Sequence, residues 1–187
     1  DKVLLFLQRK NNIKKILFSS SNSVFENNKE KNIFSVTIPR PKNSYGRSKL
    51  KTEKLIKEKF NSYIILRLPS IIGPKFNKGL IFRFLQKIQR NQKIKIFNKD
   101  KKFNNIFDVK DMMKIIVKYL YSKENQKKIL NICSINSITF YQVLEYLYKI
   151  KKRKMKIIDC GLSNQYKFFV WKEDVFLKKI KFKKIRK

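Results

Sequence analysis

The sequence predicts an α/β protein whose core is a parallel β-sheet. Three short segments with apolar centres, at residues 14–19, 63–68 and 129–133, have the composition of strands that are buried on both faces. Stretches with helical periodicity separate them, and the order strand–helix–strand is typical of parallel sheets. With 187 residues and 42% hydrophobic side chains, the chain can bury a core of ordinary size.

The first helix after the first strand is expected to follow a polar, irregular segment. Pro39 and Pro41 prevent a helix until Ser44, whose side chain is a suitable N-cap. Residues 45–60 then carry apolar side chains at helical spacing, with charged residues between them. The expected apolar stripe of this helix consists of Leu50, Leu55, Ile56 and Phe60.

The rest of the chain continues the alternation of strands and helices. Asp108 and Thr139 are expected to cap two helices, which run to residues 121 and 150, and Asp174 to cap a last short helix. An earlier helix is predicted at 79–91, and short strands at 94–97, 105–107 and 155–158. In the helices that begin near residues 79 and 109, the side chains expected to face inward are Leu80, Phe84, Leu85, Ile88, Met112, Ile115, Ile116 and Leu120.

The chain carries a formal charge of +34, from 47 basic and 13 acidic residues. Such an excess would suggest a polyanionic partner, such as nucleic acid or an anionic membrane. The composition has a second explanation, because residues with AT-rich codons (Lys, Asn, Ile, Phe) are abundant and alanine is absent. The lysines are also scattered along every segment, whereas nucleic-acid sites gather arginine and exposed aromatic residues. We therefore favour codon bias over a specific nucleic-acid partner.

The cysteines and the apolar segments indicate the class of protein. Two cysteines, Cys133 and Cys160, are too few for a disulfide framework or a cysteine metal cluster, and Cys133 is expected to be a buried strand residue. No apolar run has the length needed to cross a bilayer, and no signal peptide is visible. We therefore expect a soluble, cytoplasmic protein. The apolar, helix-like stretch Val3–Leu7, two residues after Asp1, is typical of a chain that starts inside a domain.

Tyr45 and Lys49 are the first candidate functional residues. Four residues apart on a predicted helix, they lie on one face, one turn from each other. A positive charge beside a phenol favours the phenolate, which can take a proton from an alcohol. The same spacing occurs at two other places, Tyr119/Lys123 and Tyr148/Lys152. The surrounding motifs must therefore distinguish a site from a coincidence.

Four segments in a fixed order supply those motifs. Residues 16–25 form a strand that ends in serines, and residues 43–49, followed by Glu53, contain Tyr-Gly-x-Ser-Lys at the start of a helix. Residues 66–74 form a strand that leads into a Gly-Pro turn, and residues 103–111 follow later. Together they resemble the extended short-chain dehydrogenase/reductase family, the NAD-dependent sugar epimerases and dehydratases, which has a Rossmann-like fold.

The resemblance implies roles for four residues. Tyr45 would be the general base or acid for a substrate hydroxyl, and Lys49 would assist it and hydrogen-bond the nicotinamide ribose. Ser21 would orient the substrate and share the proton, so all three would also contact the cofactor. Pro69 would lie where the backbone passes the nicotinamide. The implied chemistry is proton removal from a secondary alcohol as hydride leaves for the cofactor.

Other positions concern the substrate. Ser70 and Asn104 would contact it, although Asn104 stands where the family often has an arginine for nucleotide phosphates. Dehydratases of the family carry an Asp-Glu pair directly after the catalytic Ser or Thr, and this chain has Asn22 and Ser23 there. The resemblance therefore implies epimerase or oxidoreductase chemistry rather than elimination of water.

The family binds the cofactor pyrophosphate with a glycine-rich turn at a helix N-terminus. The four glycines of this sequence are too dispersed to form that turn. The resemblance therefore implies an N-terminally truncated chain. Its expected parts are the second half of an NAD(P)-binding domain, at 1–70 and 105–135, and a substrate-binding region, at 71–104 and 136–187.

The function implied by the resemblance is an NAD(P)-dependent epimerase or oxidoreductase. Its substrate would be a sugar or a nucleotide-sugar, its cofactor NAD or NADP with NAD favoured, and its assembly a homodimer paired through the helix of Tyr45 and Lys49. No metal site is expected. Two alternatives stay open, a non-catalytic binding or scaffold protein of the same fold and a basic polyanion-binding protein.

Overall fold

The computed structural model describes residues 13, 15–29, 32–34, 36–74, 76–122, 125–163 and 170–171. The predicted helical stretch Val3–Leu7 and the short helix predicted after Asp174 lie outside the described residues. The elements follow in the order β1 (Ile16–Ser21), a 3-10 turn (Asn22–Phe25), β2 (Asn32–Ile33), α1 (Ser44–Lys59), β3 (Tyr63–Leu68), β4 (Ser70–Ile72), α2 (Gly79–Gln89), β5 (Ile94–Ile96), β6 (Lys102–Phe103), β7 (Ile106–Asp108), α3 (Val109–Leu120), β8 (Lys127–Asn131), β9 (Ile138–Thr139), α4 (Phe140–Ile150), β10 (Ile157–Asp159) and β11 (Val170–Trp171).

A three-stranded parallel sheet organises the part of the chain around α1. Its strand order is β1–β3–β8, with β3 in the middle. Ser21 lies opposite Leu68 in the first pair of strands, and Arg67 lies opposite Asn131 in the second. All three strands therefore end at one edge of the sheet, here called the carboxyl edge. Ligands of open α/β sheets bind outside this edge.

Helices cover both faces of the sheet. The side chains of β3 alternate between the two faces, so each face presents apolar groups to a helix. Tyr63 and Ile65 pack with Ile56 of α1 on one face. Ile64 and Leu66 pack against α3 on the other face. A parallel sheet with helices on both faces is the doubly wound arrangement, so the predicted fold class is confirmed.

The buried face of α3 differs from the predicted one at its last turn. Met112, Ile115 and Tyr119 are buried, at the spacing of three and four residues that defines one helix face. The Tyr119 hydroxyl donates to the Ile16 carbonyl at 3.2 Å, and burial raises the pKa of this phenol, which keeps it a donor. Leu120 is 59% exposed, so its predicted inward position is wrong. Tyr119 occupies the inward position because its hydroxyl finds a backbone acceptor there.

A second hydrophobic core lies in the remaining part of the chain. There β5 pairs with β10 in parallel and β6 pairs with β9 in an antiparallel arrangement. The buried members of this core are Phe84, Ile88, Ile94, Ile96, Phe103, Ile106, Val143, Leu144, Leu147 and Tyr148. The assignment of residues 71–104 and 136–187 to substrate binding remains a prediction.

Side-chain caps set the starts of three helices. Asn43 caps α1, since its Oδ1 accepts from the Gly46 amide at 2.8 Å. The predicted cap at Ser44 is therefore wrong by one residue, because Ser44 is already the first residue of the helix. Asp108 and Thr139 cap α3 and α4 as predicted, the latter in a reciprocal capping box.

A buried ion pair joins α1 to β3. Arg67 Nη2 lies 2.8 Å from Glu53 Oε2, and both side chains are almost fully buried. Arg67 Nε donates to both oxygens of the same carboxylate, at 3.1 and 3.2 Å, and Ser20 Oγ of β1 donates to its Oε1. The guanidinium also lies over the Phe25 ring, 4.8 Å from its centroid. Since an unpaired charge in this place would be costly, the pair fixes the rotation of α1 on the sheet.

Two expectations from composition concern the cysteines and the helices. Cys133 is buried as predicted, although it lies two residues past the end of β8 rather than within the strand. Cys160 is partly exposed. None of the helices in the described part of the chain is long and apolar enough to cross a membrane.

We predict that Glu53→Gln lowers the free energy of unfolding by about 3–5 kcal/mol, because it leaves the Arg67 charge buried without its counter-charge. The matched control is Glu58→Gln, at an exposed position of the same helix, which should change this free energy by less than about 0.5 kcal/mol. Urea unfolding followed by circular dichroism measures both. Equal effects of the two substitutions would contradict the role assigned to the ion pair.

Candidate active site

Tyr45 differs from the tyrosines of the two other Tyr-x-x-x-Lys pairs by its exposure. It is 54% exposed, whereas Tyr119 and Tyr148 are 0% and 4% exposed. The hydroxyls of those two donate to the backbone carbonyls of Ile16 and Lys156, each at 3.2 Å. Their phenols are therefore used in packing, and Tyr45 has the phenol that a ligand can reach.

Lys49 is held between the end of β1 and the ring of Tyr45. Its Nζ donates to the Ser19 carbonyl at 2.9 Å and lies 5.7 Å from the centroid of the Tyr45 ring. The Phe18 ring lies 5.0 Å from the same nitrogen. An ammonium has three N–H donors, and the bond to Ser19 uses one of them. The same group can therefore also serve a ligand hydroxyl.

Ser21 ends β1, two residues beyond the Ser19 carbonyl that Lys49 binds. Its Oγ accepts from the Ser23 amide at 3.2 Å, which caps the 3-10 turn. That bond uses a lone pair of the hydroxyl and not its proton, so the Ser21 hydroxyl can still donate to a ligand oxygen. The structure thus brings Ser21 and the tyrosine–lysine pair to the carboxyl edge.

Gly46 allows the start of α1 to touch the 3-10 turn. A Cβ at this position would lie 2.5 Å from the Ser23 carbonyl oxygen and 3.0 Å from Pro41 Cβ. Asn43 Nδ2 donates to Glu26 Oε2 at 2.6 Å just beside this contact. Only a residue without a side chain permits such a close approach. Gly46 therefore sets the position of its neighbour Tyr45 relative to the end of β1.

The remaining predicted site residues have different surroundings. Pro69 is half-buried and Ser70 exposed at the carboxyl end of β3, and the Ser70 amide donates to the Asn105 carbonyl at 3.1 Å. Asn104 is 5% exposed, and its Nδ2 donates to the Ser134 carbonyl at 3.1 Å. The Asn104 amide therefore joins two loops. Cofactor and substrate contacts of these three residues remain predictions.

Sequence reasoning missed two features near this edge. The Glu53–Arg67 pair had a signal, because an arginine inside the apolar run 63–68 needs a buried partner. Asn22 is the second feature, since the sequence shows it only as a departure from the dehydratase pattern. Its Oδ1 and Nδ2 are both buried without a hydrogen-bond partner. Burial of this amide depends on tertiary packing, which no local pattern reports.

The four glycines lie in different elements and loops of the fold. Gly46 and Gly73 lie where a Cβ would collide with a neighbouring segment. Gly79 begins α2 with a φ of 89°, and Gly161 follows β10 with a φ of 73°. Each glycine serves its own local contact or backbone conformation, so the four do not form a glycine-rich turn for a pyrophosphate. The tyrosine–lysine pair fits the other end of a dinucleotide, where a ribose hydroxyl meets the reacting ring.

A family model matches the larger part of this chain. The model of the NAD dependent epimerase/dehydratase family matches residues 2–133, which is more than half of the chain. This range contains Ser21, Tyr45 and Lys49 and all three strands of the central sheet. No curated protein matches the sequence.

Solved structures show the same fold at low sequence identity. UDP-glucuronic acid 4-epimerase from Bacillus cereus, in complex with NAD, has a TM-score of 0.79 at 19% identity, over 96% of this chain and 58% of that one. UDP-N-acetylglucosamine 4-epimerase from Methanobrevibacter ruminantium, in complex with UDP-N-acetylmuramic acid, has a TM-score of 0.76 at 22% identity, over 98% of this chain and 61% of that one. UDP-glucose 4-epimerase from Thermotoga maritima, with UDP-glucose, has a TM-score of 0.72 at 22% identity, over 92% of this chain and 58% of that one. The chain thus spans about three fifths of their length.

We predict that Gly46→Ala destabilises the protein by about 1–3 kcal/mol, because the new methyl group overlaps the Ser23 carbonyl. Helix propensity alone predicts the opposite sign, a gain of about 1 kcal/mol. Ser48→Ala, at an exposed position of the same helix, is the control and should be neutral or slightly stabilising. Chemical unfolding measures the free energy of unfolding of both variants. A Gly46→Ala protein more stable than the wild type would contradict the predicted overlap with the Ser23 carbonyl.

Proposed function

Because this chain belongs to the NAD dependent epimerase/dehydratase family, we propose that it acts with NAD on a secondary alcohol of a nucleotide-sugar. The observation that carries the proposal is the exposed Tyr45 phenol beside the Lys49 ammonium at the carboxyl edge. Two of the similar structures support it, since one holds NAD and another UDP-glucose. NADP is the second candidate cofactor, and one of the similar structures holds NADPH.

Tyr45 is the proposed proton acceptor. Its phenolate takes the proton of the substrate hydroxyl while the C–H bond of the same carbon breaks, and the phenol returns a proton in the reverse direction. NAD, when bound, supplies the acceptor for the hydride that leaves this carbon. The exposure of Tyr45 gives an alcohol access to its oxygen.

Lys49 and Ser21 assist this proton transfer in different ways. The Lys49 ammonium stabilises the negative charge on the phenolate, and its remaining N–H groups can hold the ribose of the cofactor. The Ser21 hydroxyl donates to the substrate oxygen and so orients it towards Tyr45. Epimerase or simple redox chemistry follows, because Asn22 and Ser23 provide no acid for elimination of water.

The proposed partners follow from the same chemistry. A nucleotide-sugar is anionic, and the +34 charge of the chain attracts anions in general. Pro69 and Ser70 are proposed to border the nicotinamide and the sugar, since they directly follow β3 at the carboxyl edge. A homodimer and a cytoplasmic location remain predictions.

We predict that Tyr45→Phe lowers kcat for epimerisation of UDP-glucose by at least about 100-fold, because the proton acceptor is removed. Tyr146→Phe is the matched control, since Tyr146 is 52% exposed on α4, and it should retain kcat within about twofold. Product formation is measured by NMR with NAD present. A Tyr45→Phe enzyme with nearly unchanged kcat would show that Tyr45 is not the proton acceptor.

We also predict that Lys49→Met weakens NAD binding about tenfold, or by about 1.4 kcal/mol, because the contact with the ribose is lost. Lys54→Met, at an exposed position of the same helix, should leave the Kd for NAD within about twofold. Isothermal titration calorimetry measures both variants. Equal affinities of the two variants would contradict the cofactor role of Lys49.

A further inference from the structure

Phe18 provides an aromatic ring beside the Lys49 ammonium, and the proposed reaction does not use this ring. The centroid of the ring is 5.0 Å from Lys49 Nζ, and the centroid of the Tyr45 ring is 5.7 Å from the same nitrogen. At such distances, a ring face attracts an ammonium through its π electrons. The ammonium therefore contacts two aromatic rings, one on β1 and one on α1.

The other contacts of Lys49 do not determine its position fully. Its Nζ donates to the Ser19 carbonyl at 2.9 Å, and within the described part of the chain no carboxylate forms an ion pair with it. A carbonyl oxygen accepts hydrogen bonds over a broad range of directions, so this bond alone leaves the ammonium free to move around its acceptor. The Phe18 ring, on the preceding residue of the strand, limits that movement.

Packing alone does not require an aromatic residue at position 18. Phe18 is half-buried and packs on the cluster of Ile16, Ile56, Tyr63 and Ile65. Ile16 lies two residues earlier on the same face of β1, where an aliphatic side chain meets the same need for apolar surface. Only an aromatic ring also offers a cation a face with negative charge density. The contact with Lys49 therefore distinguishes phenylalanine from an aliphatic residue here.

We propose that Phe18 is a positioning residue for the cofactor, whose ring holds the Lys49 ammonium where it meets the nicotinamide ribose. The ring acts through Lys49 and transfers no proton. Since the same nitrogen lies near the Tyr45 ring, the contact also keeps a positive charge beside the proposed phenolate. This inference rests on the proposed function, and it adds the residue that keeps Lys49 in place.

A double-mutant cycle of Phe18→Leu and Lys49→Leu tests the contact without any ligand. Leucine keeps an apolar side chain at either position and offers neither a π face nor a charge. We expect Phe18→Leu to raise the equilibrium constant of unfolding more in the wild-type background than in the Lys49→Leu background. The expected ratio of the two effects is about fivefold, or about 1 kcal/mol. Urea unfolding of the four proteins measures it.

Isothermal titration calorimetry with NAD tests the positioning role. We expect Phe18→Leu to raise the Kd for NAD about threefold, which is less than the effect of Lys49→Met, because the Ser19 carbonyl still holds the ammonium. Phe18→Tyr keeps the ring and should keep the Kd within about 1.5-fold of the wild-type value.

The matched control is Phe60→Leu, the same substitution in the same hydrophobic cluster. Phe60 follows the last residue of α1 and is roughly 16 Å along the helix from Lys49, too far for a contact with its ammonium. This variant should leave the Kd for NAD within about 1.5-fold of the wild-type value, although it loses packing as Phe18→Leu does. The comparison thus separates the effect of the ring on Lys49 from a general loosening of the cluster.

Three results would overturn the inference. If the unfolding cycle shows no coupling between the two positions, the ring does not hold the ammonium. If coupling is present but Phe18→Leu leaves the Kd for NAD unchanged, the contact serves stability alone. If Phe60→Leu or Phe18→Tyr weakens NAD binding as much as Phe18→Leu does, altered packing is the cause.

Failure of the proposed function would give a different result. A wild-type protein that does not bind NAD, or a Lys49→Met protein that binds it as tightly as the wild type, would refute the cofactor role of Lys49. The cofactor role of Phe18 would then be refuted with it. The unfolding cycle involves no ligand, so a missing contact between Phe18 and Lys49 is distinguished from a wrong assignment of the cofactor.

Discussion

The buried ion pair between Glu53 and Arg67 is the constraint on which the arrangement of the site depends. It ties the third turn of α1 to the central strand of the sheet, and Ser20 of β1 joins it through the same carboxylate. Lys49 and Tyr45 precede Glu53 by four and eight residues, so they lie near the same face of the helix. Fixing Glu53 therefore also fixes the direction in which these side chains leave the helix.

The start of α1 is positioned by a second, purely steric contact. Gly46 brings the helix against the Ser23 carbonyl, and Asn43 and Glu26 close the same junction with a hydrogen bond. The ion pair sets the rotation of the helix about its axis, and this contact sets how close the start of the helix lies to the 3-10 turn. The helix and the turn are therefore held together, so Ser21, Asn22 and Tyr45 keep fixed positions relative to one another.

The sequence predicted the fold class, the main strands and most helix starts, because these follow from local periodicity and capping chemistry. It placed the α1 cap at Ser44 because Asn43 and Ser44 are both good caps, and only the geometry of the turn selects Asn43. It placed Leu120 inside because hydropathy ranks leucine above tyrosine, whereas a backbone acceptor made Tyr119 the better core residue. The buried Asn22 amide depends on contacts between distant segments, which periodicity does not encode.

The bond between Lys49 and the Ser19 carbonyl has a consequence for the thermodynamics of ligand binding. A free lysine side chain has many rotamers, and immobilising one costs up to about 2 kcal/mol of conformational entropy. In this protein that entropy is lost on folding, because the ammonium is held by the strand before any ligand binds. A ligand that contacts Lys49 therefore meets a preorganised group, and more of the interaction energy is expressed as affinity.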